Sequence, residues 1–319
     1  IRDRAEMPRR ALILGESAMA LDLEQAYKRM GFDTRIGAAS IAEAFYPGII
    51  VTSGDAEDTI ETVQEISERV GAVVAPSVEA CRHTADRMAV RKQANEELGL
   101  PVLDYEFAAT PQEMHDAVER IGYPCVVKAP TSKDGEGFSF VHSDADLADA
   151  WRAADRGLGQ GAVVERFIDF DFEVTILAAR SIDPSTGELA TWFCEPIGTR
   201  HREGRLVESW QPAPLPEAAM DNARSIAARI TGALASCGIF SVEMFVSGDD
   251  VYFSQVTPRP SRDGLVTFVT QRINQFDLQA HATQRLPIDS TLISPGAVRF
   301  LEGHPSQAAL AAAMAVEEV

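Results

Sequence analysis

Glu243 and Gln255 stand on two apolar runs, Ile239 to Phe245 and Val251 to Thr257, separated by the turn signal Gly248-Asp249-Asp250. Two antiparallel strands joined there would bring both side chains to one face. Oxygen ligands that converge in this way suit Mg²⁺ held against the phosphates of a nucleotide. The second run ends in Thr257-Pro258-Arg259-Pro260. The flanking prolines fix φ and stiffen the turn, so the Arg259 guanidinium is presented with little freedom, and its planar fork suits a phosphate or a carboxylate.

Upstream, the run Tyr123 to Lys128 ends on a lysine, and Lys133, Gly135 and Gly137 follow. A lysine beside flexible backbone N–H groups can hold polyphosphate, with the glycines letting the chain fold over it. Asp134 and Glu136 in the same loop would repel phosphate unless they point outward. The segment Glu165 to Ile168 could offer backbone groups to an adenine edge, and Glu173 could accept from ribose hydroxyls. A solvated strand face is the other reading of Glu173. Arg200, Arg202 and Arg205 form a basic patch in an acidic chain, or else the tip of a hairpin. The six histidines show no HxxxH spacing, so a zinc site is not expected.

These residues need elements to position them. A chain of 319 residues, 45% of them hydrophobic, predicts two or three compact units. The net charge of −19 argues against nucleic acid as a partner, because a phosphate backbone needs a basic footprint. No apolar run is long enough to span a membrane, and Ile1 to Glu6 does not resemble a secretory leader. Cys81, Cys125, Cys194 and Cys237 are widely spaced, which fits buried thiols in a reduced, cytoplasmic protein.

Ala11 to Gly15 reads as a strand that runs into a helix ending at Gly31, and two further strands, Gly48 to Val51 and Ala72 to Ala75, flank a helix from Ala56 to Val70. This alternation predicts a small parallel sheet over residues 1–82. Only Gly15 marks the first turn, so a dinucleotide fingerprint is not supported. A single helix is expected from Thr84 to Leu98, and another from Pro111 to Ile121. Mixed strands and helices follow, with an amphipathic helix over 217–236. Along Phe170 to Ile176, acidic residues and phenylalanines alternate, which predicts one packed and one polar face. After about Ser294 the chain is alanine-rich and shows no core of its own.

Taken together, Ile121-Gly122-Tyr123-Pro124-Cys125-Val126-Val127-Lys128, Phe170-Asp171-Phe172-Glu173, Glu208-Ser209-Trp210-Gln211-Pro212 and Val256-Thr257-Pro258-Arg259-Pro260 resemble the ATP-grasp superfamily. Within it they look most like the formate-dependent glycinamide ribonucleotide transformylase family. The resemblance spans roughly residues 10–300. It implies an α/β and α+β fold: a Rossmann-like domain over 1–82, then a two-lobed ATP-grasp domain over 83–290 (lobes 83–163 and 164–290), and a truncated C-terminal segment over 291–319. It implies that Arg87 and Lys128 hold phosphates, with Lys133, Gly135 and Gly137 in the covering loop. Glu165 and Ile168 would frame adenine, Glu173 would hold ribose, and Glu243 and Gln255 would take the Mg²⁺ positions. Arg259, with Lys128 and Arg200, would act on the transferred group. ATP and Mg²⁺ are the implied cofactors, a carboxylate and an amine the implied substrates, and a homodimer the implied assembly.

Departures from the resemblance lie on the substrate side. Gln255 stands where the family carries Glu. Around Glu16-Ser17-Ala18 the amine-gripping Glu is replaced by Ala18, a second substrate-holding Glu falls at Ser77, and an Asp falls at Arg262. The ribonucleotide-binding C-terminal domain is largely missing. These changes predict an ATP-dependent ligase or N-formyltransferase acting on an amine other than glycinamide ribonucleotide. The alternatives are a nucleotide-binding pseudoenzyme and a bicarbonate-activating, carboxyaminoimidazole-type ligase.

Overall fold

Residues 9–54, 56–131, 137–202, 204–301, 303 and 305–316 are described by the computed structural model. The apolar run Arg10–Leu14 forms β1, the second strand of a parallel sheet in the order β2-β1-β3-β4. Its partners are β2 (Asp33–Gly37), β3 (Ile49–Thr52) and β4 (Val73–Ala75). The crossovers include α1 (Ala18–Arg29), the short α2 (Ala42–Phe45) and α3 (Ile60–Val70). Ser17 starts α1 by accepting from the Ala20 N–H at 3.3 Å. Thr59 starts α3 in the same way, and Gly71, at φ +72°, ends it. This is the expected Rossmann-like unit. The edge strand β2 is absent from the sequence reading because Asp33-Thr34-Arg35-Ile36-Gly37 holds a single apolar side chain of any size.

The single helix expected over 84–98 is broken. It resolves into α4 (Val78–Ala85), α5 (Arg87–Lys92) and a π-helical stretch, Gln93–Glu97. Asp86 causes the break. Its backbone is extended, and its carboxylate accepts from the N–H groups of Met88 (2.8 Å) and Ala89 (3.3 Å). A capping carboxylate thus restarts the helix and makes Arg87 its first residue. Ala80, Val90, Ala94 and Leu100 pack into the core of the large sheet described below.

A second unit holds the four-stranded sheet β5-β8-β6-β7. Its strands are β5 (Tyr105–Ala108), β6 (Cys125–Lys128), β7 (Phe138–Val141) and β8 (Ala162–Arg166), covered by α6 (Pro111–Ile121) and α7 (Leu147–Asp155). Its core is self-contained, running from Ala108 to Val164 in sequence.

The third sheet is built on β9 (Phe172–Ile182), with β10 (Leu189–Phe193) beside it. The main path runs β14-β13-β9-β11-β12-β15 through β11 (Ile197–Arg202), β12 (Arg205–Gln211), β13 (Gly238–Ser247), β14 (Asp250–Thr257) and β15 (Gly296–Arg299). Helix α8 (Glu217–Ala233) covers one face with Ala223, Ile226, Ala227 and Ile230. The alternation expected after Phe170 holds only at the start of β9. From Val174 to Ser181 every residue of this central strand is buried. After the short α9 (Thr267–Thr270), α10 (Gln275–Thr283) packs on both the large sheet and the first unit. Tyr27 and Thr283 share a hydrogen bond of 2.7 Å, and Arg29 reaches Asp277 at 2.7 Å. The C-terminal stretch adds β15 to a sheet edge, and α11 (Gln307–Met314) buries no residue.

Candidate functional site

Glu243 and Gln255 are directly opposed in the β13–β14 ladder. A β-bulge makes this possible. Val251 and Phe253 face the core, so strict alternation would send Gln255 there too. The register instead slips between Glu243 and Met244, so Val256 takes the core position and Gln255 faces the cleft. Gly248, at φ +59°, makes the tight turn.

The cleft lies between the three sheets and has a volume of about 940 Å³. Arg87, Lys128, Ile168, Glu173, Glu243, Gln255 and Arg259 all line it, and so do Ser17, Ala18 and Arg262 at one end. The structure thus gathers most of the proposed site residues in one place. Glu16 and Ser77 are not lining residues. Ser77 caps α4 by accepting from the Ala80 N–H at 3.2 Å, while its own N–H reaches Ser236 Oγ at 3.1 Å. Arg200 is also outside the cleft lining: its exposed side chain pairs with Glu208 at 3.1 Å. Arg202 and Arg205 oppose one another at the end of the β11–β12 hairpin. Gly137 is a closure point rather than a lining residue. At φ +71°, a Cβ there would lie 2.7 Å from the Ala129 methyl. Lys133 and Gly135 lie outside the described residues.

Glu165 lines the cleft, but its side chain does a different job from framing a base. It is buried between two cations, accepting from Arg91 Nη2 at 2.7 Å and Lys128 Nζ at 2.5 Å. Burial alone would raise its pKa. The Arg91 and Lys128 charges outweigh that and hold the carboxyl at about 2. The carboxylate therefore fixes where Lys128 sits. Arg91 is 2% exposed and its guanidinium lies over the Tyr105 ring at 5.8 Å. Arg166, Phe167, Ile168 and Asp169 continue along the cleft wall after Glu165.

At the hairpin, Gln255 Nε2 donates to Glu243 Oε1 at 3.0 Å, and Gln255 Oε1 accepts from Arg87 Nη1 at 2.8 Å. Glu243 is pushed up to about 7, chiefly by burial and then by the Asp263 and Glu173 carboxylates. Asp263 is raised by burial as well, although Thr175 Oγ1 donates to it at 2.6 Å. His201 meets Glu173 at 2.7 Å, and that contact raises the imidazole against the opposing effect of burial.

These oxygen donors fit a hard divalent cation. Burial makes the Glu243 charge costly, and a cation beside it would relieve that cost. Gln255 lines the same cleft, and its Oε1 has a second lone pair beyond the one Arg87 uses. Three contributors escaped the sequence reading. Arg91 sits inside a helix with no local motif to mark it. His201 was judged by metal-ligand spacing, whereas its usable signal was its place on a strand beside Glu173. Asp263 follows the proline-stiffened turn and needed only the neighbouring Arg262 to be weighed with it.

The chain is similar to known proteins over most of its length. Residues 93–276 match the ATP-grasp domain. A formate-dependent phosphoribosylglycinamide formyltransferase of Corynebacterium efficiens is 43% identical over 342 aligned positions, covering 97% of this chain and 85% of that protein. The protein of the same name from Corynebacterium jeikeium is 51% identical, covering 81% of this chain and 65% of its own length. The solved glycinamide-RNase-transformylase T of Mycobacterium tuberculosis superposes with a TM-score of 0.75 at 29% identity, over 90% of this chain and 84% of that one. The chain belongs to the ATP-grasp family of enzymes, in the group that holds the formate-dependent phosphoribosylglycinamide formyltransferases.

Proposed function

We propose that this enzyme uses ATP to convert a carboxylate, formate in the favoured case, into an acyl phosphate and then transfers the acyl group to an amine. The supporting observation is that Lys128, Arg87 and Arg259 share one cleft with the opposed pair Glu243 and Gln255. A space of about 940 Å³ accommodates a nucleotide with small substrates beside it. In this reading a carboxylate oxygen attacks the γ-phosphorus and ADP leaves. The amine nitrogen then attacks the acyl carbon, expels phosphate and gives up a proton.

Lys128, fixed by Glu165, and Arg87 would neutralise phosphate oxygens. Ile168 and its neighbours would take the adenine, and Glu173 the ribose. Arg259, seated in its stiffened turn, would hold the group in transit. Glu243, with Gln255 beside it, would hold Mg²⁺, which when bound offsets the charge of the phosphates.

The acceptor in this proposal differs from phosphoribosylglycinamide. Ala18 lines the cleft without a carboxylate, Ser77 is occupied as a helix cap, and Arg262 is cationic. The test is ADP release with ATP, Mg²⁺, formate and a panel of amines that includes phosphoribosylglycinamide. Release that requires both formate and an amine supports the reading, and turnover best with phosphoribosylglycinamide removes the acceptor part. Replacing formate with bicarbonate separates formylation from carboxylation. A second reading, a nucleotide-binding protein without turnover, is favoured by the Gln255 amide alone. It predicts ATP binding with little Mg²⁺ dependence and no ADP release with any pair.

A further inference from the structure

One end of the cleft is made by the start of α1, the end of β3, the turn after β14 and the strap that carries β15. Two of its side chains, Arg259 and Arg262, are cationic. The nearby carboxylate, Asp263, is buried and already accepts from Thr175 at 2.6 Å. The first turn of α1 has no acidic residue. In a chain of net charge −19, two arginines three residues apart on the cleft lining stand out.

Arg262 is placed in an informative way. Its guanidinium lies over the Phe300 ring, 5.0 Å from the centroid. Stacking uses the flat face of the guanidinium and leaves its in-plane N–H groups available. Phe300 is itself anchored, since its N–H donates to the Val207 carbonyl at 2.9 Å just past the β12–β15 pairing. Among the described residues no carboxylate lies within ion-pair distance of Arg262, whereas Arg29, Arg120 and Arg272 each sit on one. A donor fork is thus stacked on an aromatic ring in the cleft lining.

From this geometry we infer that the acceptor carries an anionic group only a few atoms from its amine, and that Arg262 binds that anion with Phe300 as its support. Arg262 is three residues beyond Arg259, and both side chains line the same cleft. If Arg259 holds the group being transferred, the amine must reach it while the anion rests on Arg262. The acceptor class inferred is a compact molecule, such as an amino acid or an aminoalkyl phosphate. This inference deepens the proposed acyl transfer and rests on it.

The experiment is calorimetric binding to the full chain loaded with Mg²⁺ and a non-hydrolysable ATP analogue. The probes are glycine, 2-aminoethyl phosphate and, as the control that lacks an anionic group, glycinamide. Either anionic probe should bind roughly tenfold or more tightly than glycinamide. Arg262→Met should abolish that preference, Arg262→Lys should restore part of it, and Arg272→Met at a distant exposed pair should leave it intact. The glycine and 2-aminoethyl phosphate arms identify which anion is preferred. Equal affinity for probes with and without the anionic group, no binding of either anionic probe, or a preference that survives Arg262→Met would each overturn the inference. Because the readout is binding, it stands apart from acyl transfer: specific anion binding without ADP release would defeat the proposed chemistry and leave the Arg262 site in place.

Discussion

Gln255 is a bridge between Glu243 and Arg87: its amide nitrogen donates to the first at 3.0 Å and its oxygen accepts from the second at 2.8 Å. A carboxylate in its place would keep the Arg87 contact and lose the donor to Glu243. Two negative groups would then face each other across a strand pair, an arrangement that is unfavourable without a cation. Gln255→Glu should therefore lower the thermal midpoint of the metal-free protein by about 2–4 °C. It should also tighten Mg²⁺ binding to the ATP complex by roughly tenfold, because ligand charge tunes affinity. Differential scanning calorimetry and a Mg²⁺ titration check the two arms. An unchanged Mg²⁺ affinity would remove Gln255 from the cation site.

The Lys128–Glu165–Arg91 group is the most deeply buried charge arrangement of the cleft. Glu165→Gln would leave two buried cations with a neutral partner. Removing one member of such a group costs about 3–5 kcal/mol. Urea unfolding should show that loss, with ATP affinity falling as Lys128 loses its anchor. Lys128→Met should differ: ATP affinity falls sharply, with a smaller stability loss because Arg91 keeps its partner. Equal behaviour of the two variants would contradict the positioning role given to Glu165.

Gly54 has φ +95° and lies against the Arg259 side chain, so that a Cβ there would collide with Arg259 Nε. Gly54→Ala must displace the guanidinium, and its backbone is strained besides. We expect turnover to fall by on the order of a hundredfold, as for a misplaced catalytic group. The ATP dissociation constant should hold within about twofold, because Arg259 is assigned to the transferred group rather than to nucleotide binding. Steady-state kinetics alongside nucleotide titration separate these quantities.

Glu243 gives a pH signature. Its folded pKa of about 7 lies above the ordinary value of 4.5, so the folded protein holds this proton more tightly than the unfolded chain. The associated stability is fully present below pH 4.5 and is lost as the pH rises through about 7. Glu243→Gln mimics the protonated form, so its thermal midpoint should decline less than that of the unmodified protein between about pH 5 and 8. Mg²⁺ with ATP should restore part of the loss at the upper end only when Glu243 is present. Parallel pH profiles for the two proteins would remove the buried carboxyl from this account.

Much of the site was legible because its chemistry sits on regular elements. Glu243 alternates with Val242 and Met244, and Gly248 marks the turn, so the hairpin that presents it could be read from residue types. Gln255 faces the cleft for a reason the pattern hides: the bulge at the Glu243–Met244 step reverses which residues of β14 face inward. Asp86 was hidden inside an apparently continuous helix, where only its side-chain hydrogen bonds reveal a new N-terminus. Arg91 and Glu165 are 74 positions apart, and no local periodicity reports a pairing of that range. Arg200 and His201 illustrate the same limit on a smaller scale, since adjacent strand residues face different surroundings and the sequence favoured the wrong neighbour for the cleft.

Helix α10 belongs to two bodies at once. Phe276 and Ala280 fill the core of the first unit, while Leu278 enters that of the large sheet. Among the described residues the small sheet around β6 has no such shared helix, and its buried apolar cluster runs from Ala108 to Val164. The first unit and the large sheet are therefore fused through α10 into one wall of the cleft. The small sheet forms the facing wall and brings Lys128 to it, and what joins it to α5 is an ion pair, Glu165 with Arg91, rather than a common apolar core.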